Sequence, residues 1–208
     1  MANARENILN KIRQALTQSV PVPFPQSEGT KDIFTPLQQD IEVEFAENFT
    51  KLQGRFVFCA DSNDMVQQLG QLIAARGWKH LYCREDAIRD LLLQHQFPHA
   101  YMDDLANCDA SITTCEQLIA RTGSIVMSAA QQSGRTVSVY APVHICIAYT
   151  SQLVYDIKDA LQNVQEKYSS LPSLITLATG PSRTADIEKT LVVGVHGPKE
   201  VFCFLVEG

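Results

Sequence analysis

The sequence predicts an α/β protein, a three-layer α/β/α sandwich on a mainly parallel sheet, preceded by an N-terminal amphipathic helix and a proline-rich arm. Three observations predict it. From about residue 54, short apolar runs alternate with segments whose apolar residues recur at helical spacing, the rhythm of βα units. The run Val201-Phe-Cys-Phe-Leu-Val206 is apolar on both faces, as a strand covered on both sides is. And 208 residues, 45% hydrophobic and 19% charged, can bury a sizeable core.

Residues 4–17 read as a helix with Ile8, Leu9, Ile12 and Leu16 on one face and Arg5, Glu6, Lys11 and Arg13 mostly elsewhere. Pro21, Pro23 and Pro25 forbid regular helix next, so residues 18–32 are expected to form an extended arm. The apolar stripe must lie on something, either the main domain or a second subunit. The organisation expected is a helix and arm over 1–50 and one domain over 51–208.

Within that domain Arg55–Ala60 reads as a buried strand. Asp61, Ser62 and Asn63 supply capping side chains for a helix carrying Met65, Val66, Leu69, Leu72 and Ile73, which Gly77 can end. Lys79–Cys83 is a second strand and Ala87–Gln94 a second helix. Ser111–Cys115, Ser124–Met127 and Ile145–Tyr149 are further strands. Gln152–Tyr168 reads as one long helix on Leu153, Ile157, Leu161 and Val164. Leu174–Ala178 and Val201–Val206 complete the sheet.

Composition narrows the function. Seventeen basic against twenty-three acidic residues leave a charge of −6 and no Lys/Arg stripe, so a small-molecule or protein partner is expected and nucleic acid is not. No apolar run reaches the roughly 18 residues a membrane helix needs, and Met1-Ala-Asn-Ala-Arg-Glu6 has no apolar signal core, so a cytoplasmic protein is expected. The six cysteines form no C-x-x-C pair and sit mostly in apolar runs, which reads as buried thiols rather than metal ligands, disulfides or a cluster site. Dinucleotide, P-loop, nucleophile-elbow and H-E-x-x-H signatures are missing, so no cofactor or metal is expected in this chain.

Four segments carry chemistry. Leu177–Lys189 runs from an apolar strand through Gly180-Pro181 into an expected helix start. There Ser182, Arg183 and Thr184 fit an anion pocket at the carboxyl edge of the sheet, or a well-capped turn whose dipole Asp186 and Glu188 stabilise. Thr122-Gly123-Ser124 reads as a helix-to-strand turn whose hydroxyls and amides cradle an oxyanion, or as an ordinary helix cap. His144 is either a general acid/base or a hydrogen-bonded structural residue, and His196 either reaches a pocket or ties down its turn. Catalytic candidates are therefore His144, Asp186, Glu188 and His196.

Gly180-Pro-Ser-Arg-Thr-Ala-Asp-Ile-Glu188 followed by Leu191-Val-Val-Gly-Val-His-Gly-Pro198 resembles the signature of the lactate-utilization (LutC/YkgG) group of the LUD-domain family. Thr122-Gly-Ser-Ile-Val126 and Pro142-Val-His-Ile145 match that group in kind and order. The resemblance is strong over 109–208, rests on the βα rhythm over 54–108, and extends to the charged amphipathic helix at the N-terminus. It implies a LUD domain with a NagB/RpiA/CoA-transferase-like fold. It also implies a role in oxidising L-lactate to pyruvate as one of three proteins, with iron–sulfur clusters in the two companions. A chain without redox-cofactor motifs suits the component without clusters. The alternative, by analogy with the superfold, is a stand-alone enzyme or sensor that binds a small carboxylate or phosphate.

Overall fold

The computed structural model describes residues 4–17, 36–37, 39–98, 101, 103–185 and 191–208. It divides into two units, Met1–Pro36 and Leu37–Gly208. In the first, α1 (Ala4–Leu16) is the expected helix, with Ile8, Leu9 and Ile12 exposed along it. The arm expected at 18–32 lies outside the described residues.

The second unit opens with a helix the sequence reading did not expect, α2 (Ile41–Lys51). Ile41, Phe45 and Phe49 recur every fourth residue, and both phenylalanines are fully buried, their rings stacked with centroids 5.5 Å apart. The compact unit therefore begins at Leu37 rather than near residue 51. There follow β1 (Arg55–Cys59), α3 (Ser62–Arg76), β2 (Leu81–Cys83), α4 (Asp86–Gln94), β3 (Ala110–Thr113), β4 (Gln117–Ile119), β5 (Ser124–Ser128), α5 (Val137–Tyr140) and β6 (Val143–Tyr149). The chain continues through β7 (Leu153–Val154), α6 (Ile157–Lys167), β8 (Ile175–Ala178), β9 (Arg183–Ala185), β10 (Leu191–Val193) and β11 (Glu200–Val206).

Capping sets several of these boundaries. Asp61 Oδ1 accepts the Asp64 amide at 2.8 Å and starts α3, and the chain leaves that helix at Gly77. The long helix expected over Gln152–Tyr168 begins only at Ile157, because Asp156 and Asp159 form a capping box. Leu153, expected on the helix, lies in β7.

The main sheet has the order β1-β11-β6-β3-β2 and every pairing in it is parallel. Met65, Leu69 and Ile73 of α3 and Ile88 and Leu92 of α4 cover one face, against Ile112, Ile145, Ile147, Phe202 and Phe204. On the other face Cys146, Ala148, Val201, Cys203 and Leu205 meet Phe45 and Phe49 of α2 and Leu118, Ile125 and Met127 of a second sheet. That sheet, of order β7-β4-β5-β8 with antiparallel β4–β5 and β5–β8 pairs, takes the Leu174–Ala178 run expected in the main sheet. Its outer side carries Ile119 and Val126 against Ala160 and Val164 of α6. Among the described residues no helix is long and apolar enough to cross a membrane.

Candidate functional site

The segments singled out in the sequence meet at the amino-terminal edge of the parallel sheet, around the end of α2. Among the described residues no helix starts after Gly180-Pro181. Arg183–Ala185 instead forms β9, antiparallel to β10, with Thr184 opposite Val192. β-Branched residues on both sides favour this hairpin, and long-range pairing overrides the local capping pattern of Ser182 and Thr184. Among the described residues no helix terminus points amides at a ligand here. Asp186 and Glu188 lie outside the described residues.

The Ser182 amide donates to the Pro198 carbonyl at 2.9 Å and the Gly194 amide to the Ser182 carbonyl at 3.0 Å. Lys199 in turn donates its amide to the Pro142 carbonyl at 2.8 Å. The signature segments thus lock onto one another just before β6 and β11. Arg183 donates through Nη2 to the Leu52 carbonyl, which engages the guanidinium that the sequence offered as an anion anchor.

Thr122-Gly123-Ser124 turns β4 into β5, strand to strand rather than helix to strand. Gly123 sits at φ +59° against α2, and a Cβ there would run into the backbone of Asn48 and Phe49. Asn48 Nδ2 donates to the Ala120 carbonyl at 2.9 Å, completing the contact with α2. The hydroxyls of Thr122 and Ser124 lie 2.7 Å apart, and those of Ser124 and Thr179 3.1 Å apart. Each has its partner in the next, so the three tie β5 to the end of β8.

His144 is fully buried on β6, its Nε2 2.8 Å from the Thr113 hydroxyl. Burial pushes its pKa down to about 4, so the imidazole is neutral at pH 7. Its ring faces the interior and lines neither cleft of this edge.

His196 is exposed on a cleft of about 620 Å3 at the amino ends of β3, β6 and β11, whose other walls include Asn107, Tyr140, Pro142, Val195 and Lys199. A neighbouring recess of about 550 Å3 is lined by Gln53, Arg55, Pro181 and Glu200, and Lys199 lies on both. Glu200 binds Arg55 at 2.7 Å and Arg76 at 2.7 and 3.1 Å. Burial alone would raise its pKa, but the two guanidiniums outweigh that and hold the carboxyl below its usual range. Sequence reasoning missed Lys199 and Tyr140. The available signal was position, because each stands beside a segment already singled out, Gly197-Pro198 and Ala141-Pro142.

Ligands of open α/β sheets usually sit beyond the carboxyl ends of the strands; in this chain Glu85 and Glu116 engage in polar packing toward that edge. Glu85 Oε2 accepts from the Thr114 amide at 3.0 Å and the Thr114 hydroxyl at 2.5 Å. Buried Glu116 accepts from Ser128, Tyr168 and Lys167 at 2.5, 2.7 and 2.7 Å. All six cysteines are buried and free. Burial raises Cys59 and Cys83 to about 12 and Cys108 to about 11, so none of these three is a thiolate at neutral pH.

A LUD domain family model matches residues 43–206. Lactate utilization protein C of Macrococcus caseolyticus is 36% identical over 215 residues, covering 97% of this chain and 93% of that protein. Lactate utilization protein C of Bacillus licheniformis is 36% identical over 99 residues, and uncharacterized protein NMB1437 of Neisseria meningitidis serogroup B 35% over 95. Each of these two matches covers 46% of this chain, and the chain spans only 41% of the length of either protein. The crystal structure of a DUF162 family protein from Deinococcus radiodurans superposes with a TM-score of 0.56 at 18% identity, covering 82% of this chain and 99% of that one, a likeness of fold. With the family model spanning 43–206 and one relative matched nearly end to end, the chain belongs to the LUD-domain family.

Proposed function

We propose that this chain takes part in lactate utilization as the subunit without iron–sulfur clusters, supporting oxidation of L-lactate to pyruvate by companion proteins that carry the clusters. The reading draws on the name its relatives bear, Lactate utilization protein C. One observation carries it. The signature segments 122–124, 180–183 and 194–199 are spent on joining strands and α2 to one another, and the catalytic candidate among them, His196, stands on an open cleft. That is the construction of a rigid face more than of a catalytic centre. The experiment is a tagged purification of the chain under anaerobic conditions, with the eluate assayed for lactate-dependent dye reduction. Cluster-bearing companions and dye reduction in the eluate are expected. A chain that elutes alone and inactive would overturn the reading.

A second reading, a stand-alone small-anion enzyme or sensor, is favoured by the cleft itself. It carries Lys199 and His196 and, among the described residues that line it, no carboxylate, in a chain whose charge is −6. A thermal-shift screen of carboxylates and phosphates tests it. Stabilisation by any of them is expected, and none at millimolar concentration removes it.

A further inference from the structure

We infer that the amino-edge cleft takes a ring-bearing organic anion of about nucleotide size, its anionic end on Lys199 and His196 and its ring on Tyr140. The inference rests on the second reading above and adds the size and chemistry of the ligand. It is independent of whether the chain joins a lactate-oxidising complex.

Size comes first. A cleft of about 620 Å3 has room for roughly twenty water-sized groups at ~30 Å3 each. A molecule as small as lactate would leave most of the walls wet. Volumes of roughly 300–1,000 Å3 are those of sites that bury nucleotide- or drug-sized ligands.

Chemistry comes second. The lining divides into two parts. Lys199 and His196 stand on the turn before β11, and Val139, Tyr140 and Pro142 form an apolar wall around the end of α5. Tyr140 is 68% exposed, an aromatic face with little of the fold packed on it. Base–aromatic stacking and a charge-assisted hydrogen bond are the two interactions such a pair of walls offers.

Preorganisation comes third. Lys199 is held at its backbone and along the first part of its stem. Its amide donates to the Pro142 carbonyl at 2.8 Å, and its methylenes lie against Gly194, at φ +81°, in the space a Cβ there would occupy. The ammonium is therefore carried by a stem with restricted freedom, which lowers the entropy cost of holding an anion. Among the described residues no carboxylate lies within ion-pair distance of it.

The test is calorimetric titration of the full chain with adenosine monophosphate, inorganic phosphate and L-lactate. Adenosine monophosphate is expected to bind at least tenfold more tightly than either of the others. Lys199→Met should weaken it about 10- to 100-fold, the loss of one charge-assisted hydrogen bond. Tyr140→Ala should weaken adenosine monophosphate about tenfold and leave inorganic phosphate unchanged. Both side chains are exposed, and an unchanged melting temperature of each variant checks its folding. Phosphate binding that depends on Lys199, with adenosine monophosphate no tighter, overturns the ring-bearing ligand and leaves the small-anion reading standing. Binding of none of the three, or of adenosine monophosphate unchanged by Lys199→Met, overturns the inference.

Discussion

His144 links protonation to folding. Its imidazole is fully buried beside Thr113, and desolvation lowers its pKa from 6.5 to about 4. The unfolded chain takes up this proton near pH 6.5 and the folded chain only near pH 4, so between those values the unfolded state binds more protons. Stability is present in full above pH 6.5 and is lost as the pH falls toward 4, by up to ~3 kcal/mol for this one residue. Urea midpoints measured from pH 7 to pH 4 on the wild type and on His144→Leu should diverge over that window. Parallel curves would mean that His144 reaches solvent. The two readings of His144 that the sequence left open divide on its neighbours. Its place beside the apolar strand expected at Ile145–Tyr149 was legible. The orientation of its ring was not, because it depends on Thr113, thirty-one residues away. Lys199 was illegible for the opposite reason, since a single lysine after Gly-Pro looks like any exposed turn residue until three strand ends surround it.

Between β4 and α6 the decisive tie is Glu116, buried and holding Ser128, Tyr168 and Lys167. Burial alone would raise its pKa, but the three hydrogen bonds and the Lys167 charge bring the carboxyl below its usual value. The resulting stability is present above about pH 4.5, the ordinary value, and disappears as the pH falls through the lowered one. Glu116→Ala leaves two hydroxyls without their acceptor and should cost about 2 kcal/mol. Lys167→Ala should cost under ~1 kcal/mol, because its side chain is 58% exposed. Chemical denaturation of the two variants compares them, and equal losses would contradict the network as described. Element boundaries were the least legible feature at this scale. Leu153 sits four residues before Ile157, so apolar spacing runs the helix through a cap that Asp156 and Asp159 in fact supply. Ser182, Thr184, Asp186 and Glu188 imitate a helix start just as well, and only the distant strand Leu191–Val193 decides that Arg183–Ala185 is extended.

Across the whole molecule, every described core cluster is drawn from residue 41 onward. A chain lacking residues 1–36 should therefore keep its melting temperature within a few degrees, where ~1 kcal/mol corresponds to about 2–4 °C. If the N-terminal helix is the docking element of the proposed complex, the same truncation loses the companions in a pull-down. Retention of the companions, or collapse of the melting temperature, would reassign that segment. The parallel sheet was legible because βα alternation leaves continuous apolar strands. The second sheet was not, since β4, β5 and β8 are short apolar runs that say nothing of their partners.

The position of β11 has one more consequence. It lies between β1 and β6, yet it is the last of the five strands of that sheet to leave the ribosome. A nascent chain that has already exposed β1 has nothing to pair it with until residues 200–206 emerge about 140 residues later. The α3 and α4 helices can form early, but the sheet they cover is closed only once residues 200–206 have emerged. In the interval the apolar edges of β1 and β6 are open, and chaperones have their reason to attend this chain then rather than earlier.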